Sequence, residues 1–169
     1  MATIDFSQTQ DSEVLVFTDT NKNNGDVVSL SSDDDFNDTI NAGVNDTINA
    51  GGGDDVINVD GKSAYIISGG GNDTINLGAD SITVEAGADD NLITGWNSTD
   101  VLILNEMPET ISMSGSDLVF ESDSSNVTIS AVDSNDVISL DFIFNDISSY
   151  TTFNFSDGTH TTDFSNNTF

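Results

Sequence analysis

The sequence predicts an all-β protein, a parallel β-roll that continues into a small antiparallel β-domain. Two glycine-rich nonapeptides, AGGGDDVIN at 50–58 and SGGGNDTIN at 68–76, begin eighteen residues apart. Downstream of Trp96 glycines become sparse, and apolar and polar residues alternate as in hairpins. Steps of nine residues from Ile48 also reach an apolar side chain twelve times in succession, which indicates short stacked units with one position facing inward. This column comprises Ile48, Ile57, Ile66, Ile75, Val84, Ile93, Leu102, Ile111, Phe120, Ile129, Ile138 and Ile147.

The chain of 169 residues fits one domain, or two small modules that share a core. Residues 1–30 contain two β-like runs, at 14–17 and 27–30, and are interpreted as an N-terminal β cap. Residues 31–95 form the repeat region, and residues 96–169 form the C-terminal β-domain.

Each repeat unit places a turn before a short strand. Its glycines allow positive φ in the turn, and its last residues alternate between inward and outward positions. The position two residues after the nine-residue column is therefore also predicted to face inward. It is occupied by Ala50, Val59, Leu77, Ala86, Leu104, Met113, Ala131 and Leu140.

Further hairpins and strands are predicted in the C-terminal region. Residues 110–121 alternate around Ser114 and Gly115 and predict a β-hairpin. Strands are predicted within 127–133 and 137–144, followed by a second hairpin at 150–164. The turn of that hairpin is expected at Asp157 and Gly158. Trp96, at the junction where the glycine-rich turns stop, is expected to plug the core.

The charge restricts the partners that the chain can have. Thirty acidic residues against Lys22 and Lys62 give a formal charge of -28, which repels nucleic acid and anionic membranes and attracts cations. Packed carboxylates also favour disorder until cations neutralise them, although 36% of the residues are hydrophobic and periodic. No apolar stretch approaches the length of a membrane span, and the absence of cysteine excludes disulfides and thiolate metal sites.

Catalytic motifs are missing from the sequence. His160 is the single histidine, and neither HExxH, GxSxG nor a glycine-rich phosphate loop with lysine occurs. The five glutamates are scattered and are interpreted as solvated surface. We therefore predict a protein that is not an enzyme.

Both nonapeptides match the pattern G-G-x-G-x-D-x-U-x, in which U is a large apolar residue, at every position but the first, where Ala50 and Ser68 stand, so the chain resembles the RTX, or haemolysin-type calcium-binding, family. The later runs DVLIL, GSDLVF and FSDGT are similar to motifs of the β-domain that commonly follows RTX arrays. The resemblance implies coils of two nonapeptides, with turns stacked every eighteen residues. Calcium would lie between the turns, held by glycine-rich backbone carbonyls and by the aspartate of each repeat, since calcium prefers oxygen ligands.

The resemblance implies ligands on one series of turns, at 33–38, 51–55, 69–73 and 87–91. The implied site residues are Asp33, Asp35, Asp38, Gly51, Gly53, Asp55, Gly69, Gly71, Asp73, Gly87, Asp89 and Asp90. On the other series, at 42–46, 60–64 and 78–82, Ala64 and Ile82 replace the ligand aspartate. There Lys62 could substitute for an ion beside Asp46, Asp60 and Asp80. We therefore expect calcium chiefly on the first series.

The resemblance also implies export from a Gram-negative cell by type I secretion, which uses an uncleaved C-terminal signal. The first fourteen residues lack the pattern of a cleavable signal. The polar tail at 156–169 is similar to a secretion signal, and it could equally be a frayed C-terminus. The expected location is extracellular or on the cell surface.

The predicted function is that of a secreted calcium-binding protein that folds when calcium binds and serves a structural or self-assembling role at the cell surface or in extracellular matrix. Apolar residues near both ends of the roll could join copies into a homopolymer, or could cap their own chain. Two alternatives remain open. One is an accessory domain of a secreted enzyme. The other is a calcium-dependent module that binds carbohydrate, a cationic surface or ice through Thr47, Asn49, Asn58, Thr74 and Asn76.

Overall fold

The protein consists of β-strands joined by turns. Within the described residues the structure, a computed structural model, contains seventeen strands and no helix. It describes residues 3–5, 16–18, 25–30, 36–105, 108, 110–123, 125–132, 137–142, 151–154 and 162–163. The strands are β1 (Thr3–Asp5), β2 (Val16–Thr18), β3 (Val27–Ser29), β4 (Thr39–Ala42), β5 (Thr47–Asn49), β6 (Val56–Val59), β7 (Tyr65–Ile67), β8 (Thr74–Leu77), β9 (Thr83–Ala86), β10 (Asn91–Thr94), β11 (Val101–Leu104), β12 (Thr110–Ser114), β13 (Asp117–Glu121), β14 (Asn126–Ile129), β15 (Val137–Phe142), β16 (Thr151–Asn154) and β17 (Thr162–Asp163).

Successive strands alternate between two sheets as far as β11. The first sheet has the order β1-β3-β5-β7-β9-β11-β15-β16, and the second has the order β17-β12-β13-β14-β10-β8-β6-β4-β2. Pairing is parallel from β1 to β11, so the chain winds as a β-solenoid of about 4 turns, with antiparallel strands near the C-terminal end. The predicted all-β fold is confirmed.

The register repeats every eighteen residues in the centre of the roll. Ile57 pairs with Ile75, and Ile75 pairs with Ile93. Ile40 and Ile57 are seventeen residues apart, because the unit at 42–49 is one residue short. Each coil thus contributes one strand to either sheet, and the coil length is set by the two nonapeptides.

The nine-residue column forms the core. In a strand such as Thr-Ile-Asn the isoleucine faces inward while threonine and asparagine face outward, since side chains alternate. All ten column residues from Ile48 to Ile129 are buried, as predicted. The side chain of Ile138 and the whole of Ile147 lie outside the described part of the chain.

The second inward position of each unit holds fewer apolar residues than the nine-residue column, and several of them are small. Ala50, Val59, Leu77, Ala86 and Leu104 are buried there, and Met113 is partly buried. The prediction for Ala131 is wrong. Ala131 is exposed with φ of 55°, because the chain has already turned away from β14. The side chain of Leu140 is not among those described.

A hairpin interrupts the solenoid after β11. Beyond β10, the next strand in the second sheet is β14, with Ile93 opposite Ile129. The hairpin strands β12 and β13 are therefore inserted in the sequence between β10 and β14. The predicted hairpin at 110–121 is confirmed by the antiparallel register and by the positive φ of Gly115. The strands predicted within 127–133 and 137–144 correspond to β14 and β15.

The prediction of a hairpin at 150–164 is wrong, because the two strands of this segment do not pair with each other. β16 pairs with β15 in the first sheet, whereas β17 pairs with β12 in the second. The two segments therefore extend opposite sheets. The expected turn residues Asp157 and Gly158 lie outside the described residues.

Parallel pairing crosses both of the boundaries proposed from sequence. β2 and β3, from residues 1–30, pair with β4 and β5, and β11, from residues 96–169, pairs with β9. Trp96 packs within the same core as the central isoleucines. The described segments contain no helix with the length and apolar character needed to traverse a bilayer.

Candidate metal site at the stacked turns

The turns of successive coils stack in two columns. Connections from the first sheet to the second form the first turn column, at 36–38, 51–55, 69–73 and 87–91. Return connections form the second turn column, at 43–46, 60–64, 78–82 and 95–100.

Glycine is required where turns of the first column touch. Gly69 has φ of 98°, and a Cβ atom at this position would overlap the carbonyl oxygen of Gly51 in the preceding coil. The N–H of Gly70 donates to that same oxygen at 2.9 Å. The turns therefore contact backbone to backbone, which only residues without a side chain permit.

Buried polar side chains form what we call the inner ladder, Asp38, Asp55, Asp73 and Asn91. The N–H of Asp38 donates to Oδ1 of Asp55 at 2.7 Å, and the N–H of Asp55 donates to Oδ1 of Asp73 at 2.9 Å. The N–H of Asp73 in turn donates to Oδ1 of Asn91 at 3.0 Å. Each side chain thus fixes the turn of the coil before it.

Asp73 has the most unusual environment in this ladder. Its Oδ2 is buried and accepts no hydrogen bond of normal geometry from the described residues. The pKa of Asp73 is raised from 3.8 to about 7, chiefly by burial. The Asp55 N–H and the Ser68 side chain partly offset this rise, and the carboxylates of Asp54 and Asp89 contribute to it. A carboxylate placed in this way is unfavourable unless a proton or a cation neutralises it.

Asn91 occupies the position that the sequence analysis gave to acidic residues. It lies eighteen residues after Asp73 and is buried like it. Asp89 instead takes the position of Gly71, with φ of 68°, and its Oδ2 accepts the Gly71 N–H at 3.1 Å. The eighteen-residue register counted from Asp73 would have identified Asn91 from sequence.

A second ladder, the outer ladder, runs along the exposed side of the same turns. The N–H of Asn72 donates to Oδ1 of Asp54, and the N–H of Asp90 donates to Oδ1 of Asn72. Sequence reasoning did not find this ladder, whose signal is the alternation of asparagine and aspartate every coil. Its members are Asn37, Asp54, Asn72, Asp90 and Asn126.

The structure gathers most of the expected ligands on the first turn column. Those found there are Asp38, Gly51, Gly53, Asp55, Gly69, Gly71, Asp73, Gly87, Asp89 and Asp90. Asp33 and Asp35 lie outside the described residues. In the described part of the chain no three Asp, Glu, His or Cys side chains form a group that could hold a metal by themselves. An ion at this column would therefore also need backbone carbonyl oxygens.

The second turn column is less polar inside. Ala64 and Ile82 are buried where the first column has aspartates. Asp46 is also buried, but both of its oxygens accept backbone N–H groups, from Asp26 at 2.7 Å and from Gly43 at 2.6 Å. Its charge is thus satisfied without an ion.

The ion pair of Lys62 lies on the outside of the second column. Its Nζ is 3.1 Å from Oδ2 of Asp80, and both side chains are largely exposed. Further along the column, Asp100 is buried and accepts the N–H groups of Ile82 and Asn97. Burial raises the pKa of Asp100 as well.

The threonines and asparagines considered as one binding surface lie on two. Thr47 and Asn49 belong to β5 in the first sheet, whereas Asn58, Thr74 and Asn76 belong to β6 and β8 in the second. The two groups face opposite sides of the roll.

Comparisons with known proteins add no relative. No family model, no curated protein and no solved structure matches the chain. The resemblance to RTX repeats therefore rests on the residues of this chain, and membership of that family stays a proposal.

Proposed function

We propose that the chain is an extracellular calcium-binding β-roll protein with a structural role, and that it folds when calcium binds at the first turn column. The observation that carries this proposal is the buried Oδ2 of Asp73, which accepts no hydrogen bond of normal geometry within the described structure. Asp46, in the other column, offers the contrast, because backbone donors satisfy both of its oxygens.

A cation is the neutralising partner that fits these surroundings best. With a pKa of about 7, Asp73 gives up its proton readily near neutral pH, so a cation can displace the proton. The neighbouring carboxylates of Asp54 and Asp89 create a negative potential that attracts a cation. Carboxylate and carbonyl oxygens are what calcium prefers, and they are what these turns offer.

The net charge supports coupling of folding to the ion. A chain with a charge of -28 resists compaction until counter-charges are bound. Extracellular calcium modules bind at about 10⁻⁴ to 10⁻³ M, so such a chain would stay unfolded before export and fold outside the cell. Secretion from a Gram-negative cell and assembly through the roll ends belong to the same proposal.

A calcium titration followed by circular dichroism and calorimetry tests the proposal, with Asp73→Asn as the variant and Asp46→Asn as its matched control. We expect wild-type protein to gain β-structure at millimolar calcium, and Asp73→Asn to bind less calcium. Asp46→Asn should still bind calcium as it folds, although its lower stability should shift folding to higher calcium concentrations. A wild-type protein that folds fully in chelator and binds no calcium would refute the proposal.

A further inference from the structure

Six strands of the second sheet, β2, β4, β6, β8, β10 and β14, carry only uncharged residues at their outward positions, and we call this surface the neutral face. Asp117 and Glu121 of the adjacent β13 lie at its border. Two columns of outward residues make up this face, one from each outward position of strands β2, β4, β6, β8, β10 and β14. Their pairing puts Val16, Thr39, Val56, Thr74, Leu92 and Thr128 in the first column and Thr18, Asn41, Asn58, Asn76 and Thr94 in the second, and Ser130, directly after β14, donates its N–H to the Ile93 carbonyl beside the end of the second column.

The first column alternates a large apolar residue with a threonine. Val16, Val56 and Leu92 are 72%, 37% and 38% exposed, and they are three of the four large apolar side chains exposed in the described structure. A scattered set of exposed apolar residues is ordinary, but three in one register column form an organised patch. Strands lie about 4.8 Å apart, so the apolar residues recur about every 9.6 Å with a threonine between them.

The second column is held rigid by its own hydrogen bonds. Nδ2 of Asn58 donates to Oδ1 of Asn41 at 2.8 Å, and Nδ2 of Asn76 donates to Oδ1 of Asn58 at 2.9 Å. The Thr94 hydroxyl donates to Oδ1 of Asn76 at 2.8 Å. Because these amides bond to one another, a partner could cover them while leaving few polar groups unsatisfied.

The charge of the chain indicates which partner binds the neutral face. A cationic partner is drawn to the acidic turns, where the outer-ladder residues Asp54 and Asp90 border the face, and gains nothing from an uncharged face. Two copies of a chain with a charge of -28 repel each other through most surfaces and can approach most closely through a neutral one. Sugar-binding platforms use aromatic rings, and neither column contains one.

We propose that the neutral face packs against the neutral face of a second copy of this chain. A two-fold axis would stack the two sheets about 10 Å apart, as aligned sheets do. A shift of one strand places each Val or Leu of one copy opposite a threonine of the other. The large side chains of one copy then fill the spaces between the large side chains of its partner.

The size of the face sets the strength of this contact. Six strands span about 24 Å, and the two columns with their side chains span about 10 Å, so each copy contributes well under the roughly 800 Å² of a standard interface. The dimer is therefore weak, with a dissociation constant between about 0.1 and 1 mM. Salt strengthens it, because screening reduces repulsion between the flanking carboxylates.

Sedimentation equilibrium at protein concentrations up to about 1 mM, in low and high salt, tests the proposal. The matched variants are Thr74→Glu, on the neutral face, and Thr47→Glu, at the equivalent strand position in the first sheet. We expect wild-type and Thr47→Glu to dimerise, and Thr74→Glu to dissociate about tenfold more readily or not to associate, since it buries an unpaired charge. Circular dichroism in the same buffer verifies that each variant is folded.

Three outcomes would overturn the proposal. Wild-type protein could stay monomeric at the highest concentration and salt. Association could persist equally in both variants, which would assign it to the roll ends. The folded monomer could instead adsorb to an uncharged polysaccharide through Thr74, which would assign the face to a glycan. The inference does not rest on calcium, because the measurement uses whichever buffer gives folded protein.

Discussion

The backbone N–H of Asp55 donates a 2.9 Å hydrogen bond to Oδ1 of Asp73, the equivalent residue of the next coil. This bond occupies one oxygen of a buried carboxylate, while the other accepts no hydrogen bond of normal geometry from the described residues. Asp73 thus has a structural task toward the preceding turn and a second oxygen that is available for another partner. Different substitutions should separate the two tasks.

The first prediction is that Asp73→Asn is tolerated in chelator but responds less to calcium than the wild type. The amide oxygen can still accept the Asp55 N–H, and the buried negative charge disappears. Circular dichroism in chelator should show a folded fraction equal to or above that of the wild type, and added calcium should raise this fraction less. In Asp46→Asn, an NH₂ group must face a backbone donor, so we expect a loss of about 1–3 kcal/mol in both buffers. Equal behaviour of the two variants would contradict this assignment.

The second prediction concerns pH without calcium. The pKa of Asp73 is 3.8 in its ordinary state and about 7 in the fold, so between these values the folded protein holds a proton that the unfolded chain does not. The contribution of Asp73 to stability should therefore grow as pH falls from about 7 towards 4. Other carboxylates also lose repulsion in this range, so the measured quantity is the difference between wild type and Asp73→Asn in the folded fraction at each pH, followed by circular dichroism. A difference that does not change with pH would contradict the prediction.

With calcium present the sign of that dependence should reverse. Protons compete with a cation for Asp73, so the stabilisation gained from calcium should shrink as pH falls below about 7. The measurement is the calcium-induced shift of the unfolding midpoint at several pH values. A shift that increases on acidification would count against a cation at this residue.

The third prediction is that Gly69→Ala unfolds the first turn column, whereas Gly70→Ala does not. An added Cβ at Gly69 overlaps the Gly51 carbonyl and also forces an L residue into φ of 98°, so we expect a loss of at least about 2 kcal/mol. At Gly70 nothing lies within 4 Å of the added Cβ. The pair compares adjacent glycines in one turn by thermal unfolding, and similar losses in both would show that the turns do not stack as described.

The fourth prediction is that Asn91→Asp extends the row of buried carboxylates by one coil. Oδ1 would still accept the Asp73 N–H, but a new charge would be buried near Asp73. We expect lower stability in chelator and a larger gain on addition of calcium. Asn91→Ala is the control, because it removes the acceptor without adding charge and should lose stability in both buffers. A smaller calcium response in Asn91→Asp than in wild type would contradict the prediction.

The sequence predicted the regular part of the fold because one period determines it. A nine-residue spacing of apolar residues fixes which side chains face inward, and ten of the column residues do so. The irregular part followed no period. The antiparallel β12–β13 hairpin could be recognised from Gly115 and its flanking alternation, but β16 and β17 join different sheets, which depends on tertiary pairing alone.

The candidate site was predictable in location but not in detail. The glycines and aspartates of two repeats identified the first turn column. Reading acidic residues as ligands led to Asp89 and Asp90, whereas the buried position belongs to Asn91. Charge alone does not identify the members of the inner ladder, because the ladder needs an acceptor oxygen at a fixed register position, and an amide supplies one.

The two ladders of the first turn column point in opposite directions along the chain. In the inner ladder a side chain accepts an N–H from the coil before it, and in the outer ladder a side chain accepts an N–H from the coil after it. The hydrogen bonds of an internal coil are therefore all formed only when it has a neighbouring coil on both sides. A single coil is stabilised by few hydrogen bonds. Growth of an existing stack, by contrast, should be rapid and local, since each new coil closes a loop of only about eighteen residues. The order in which the coils form can then follow the order in which the chain becomes available, from one end to the other.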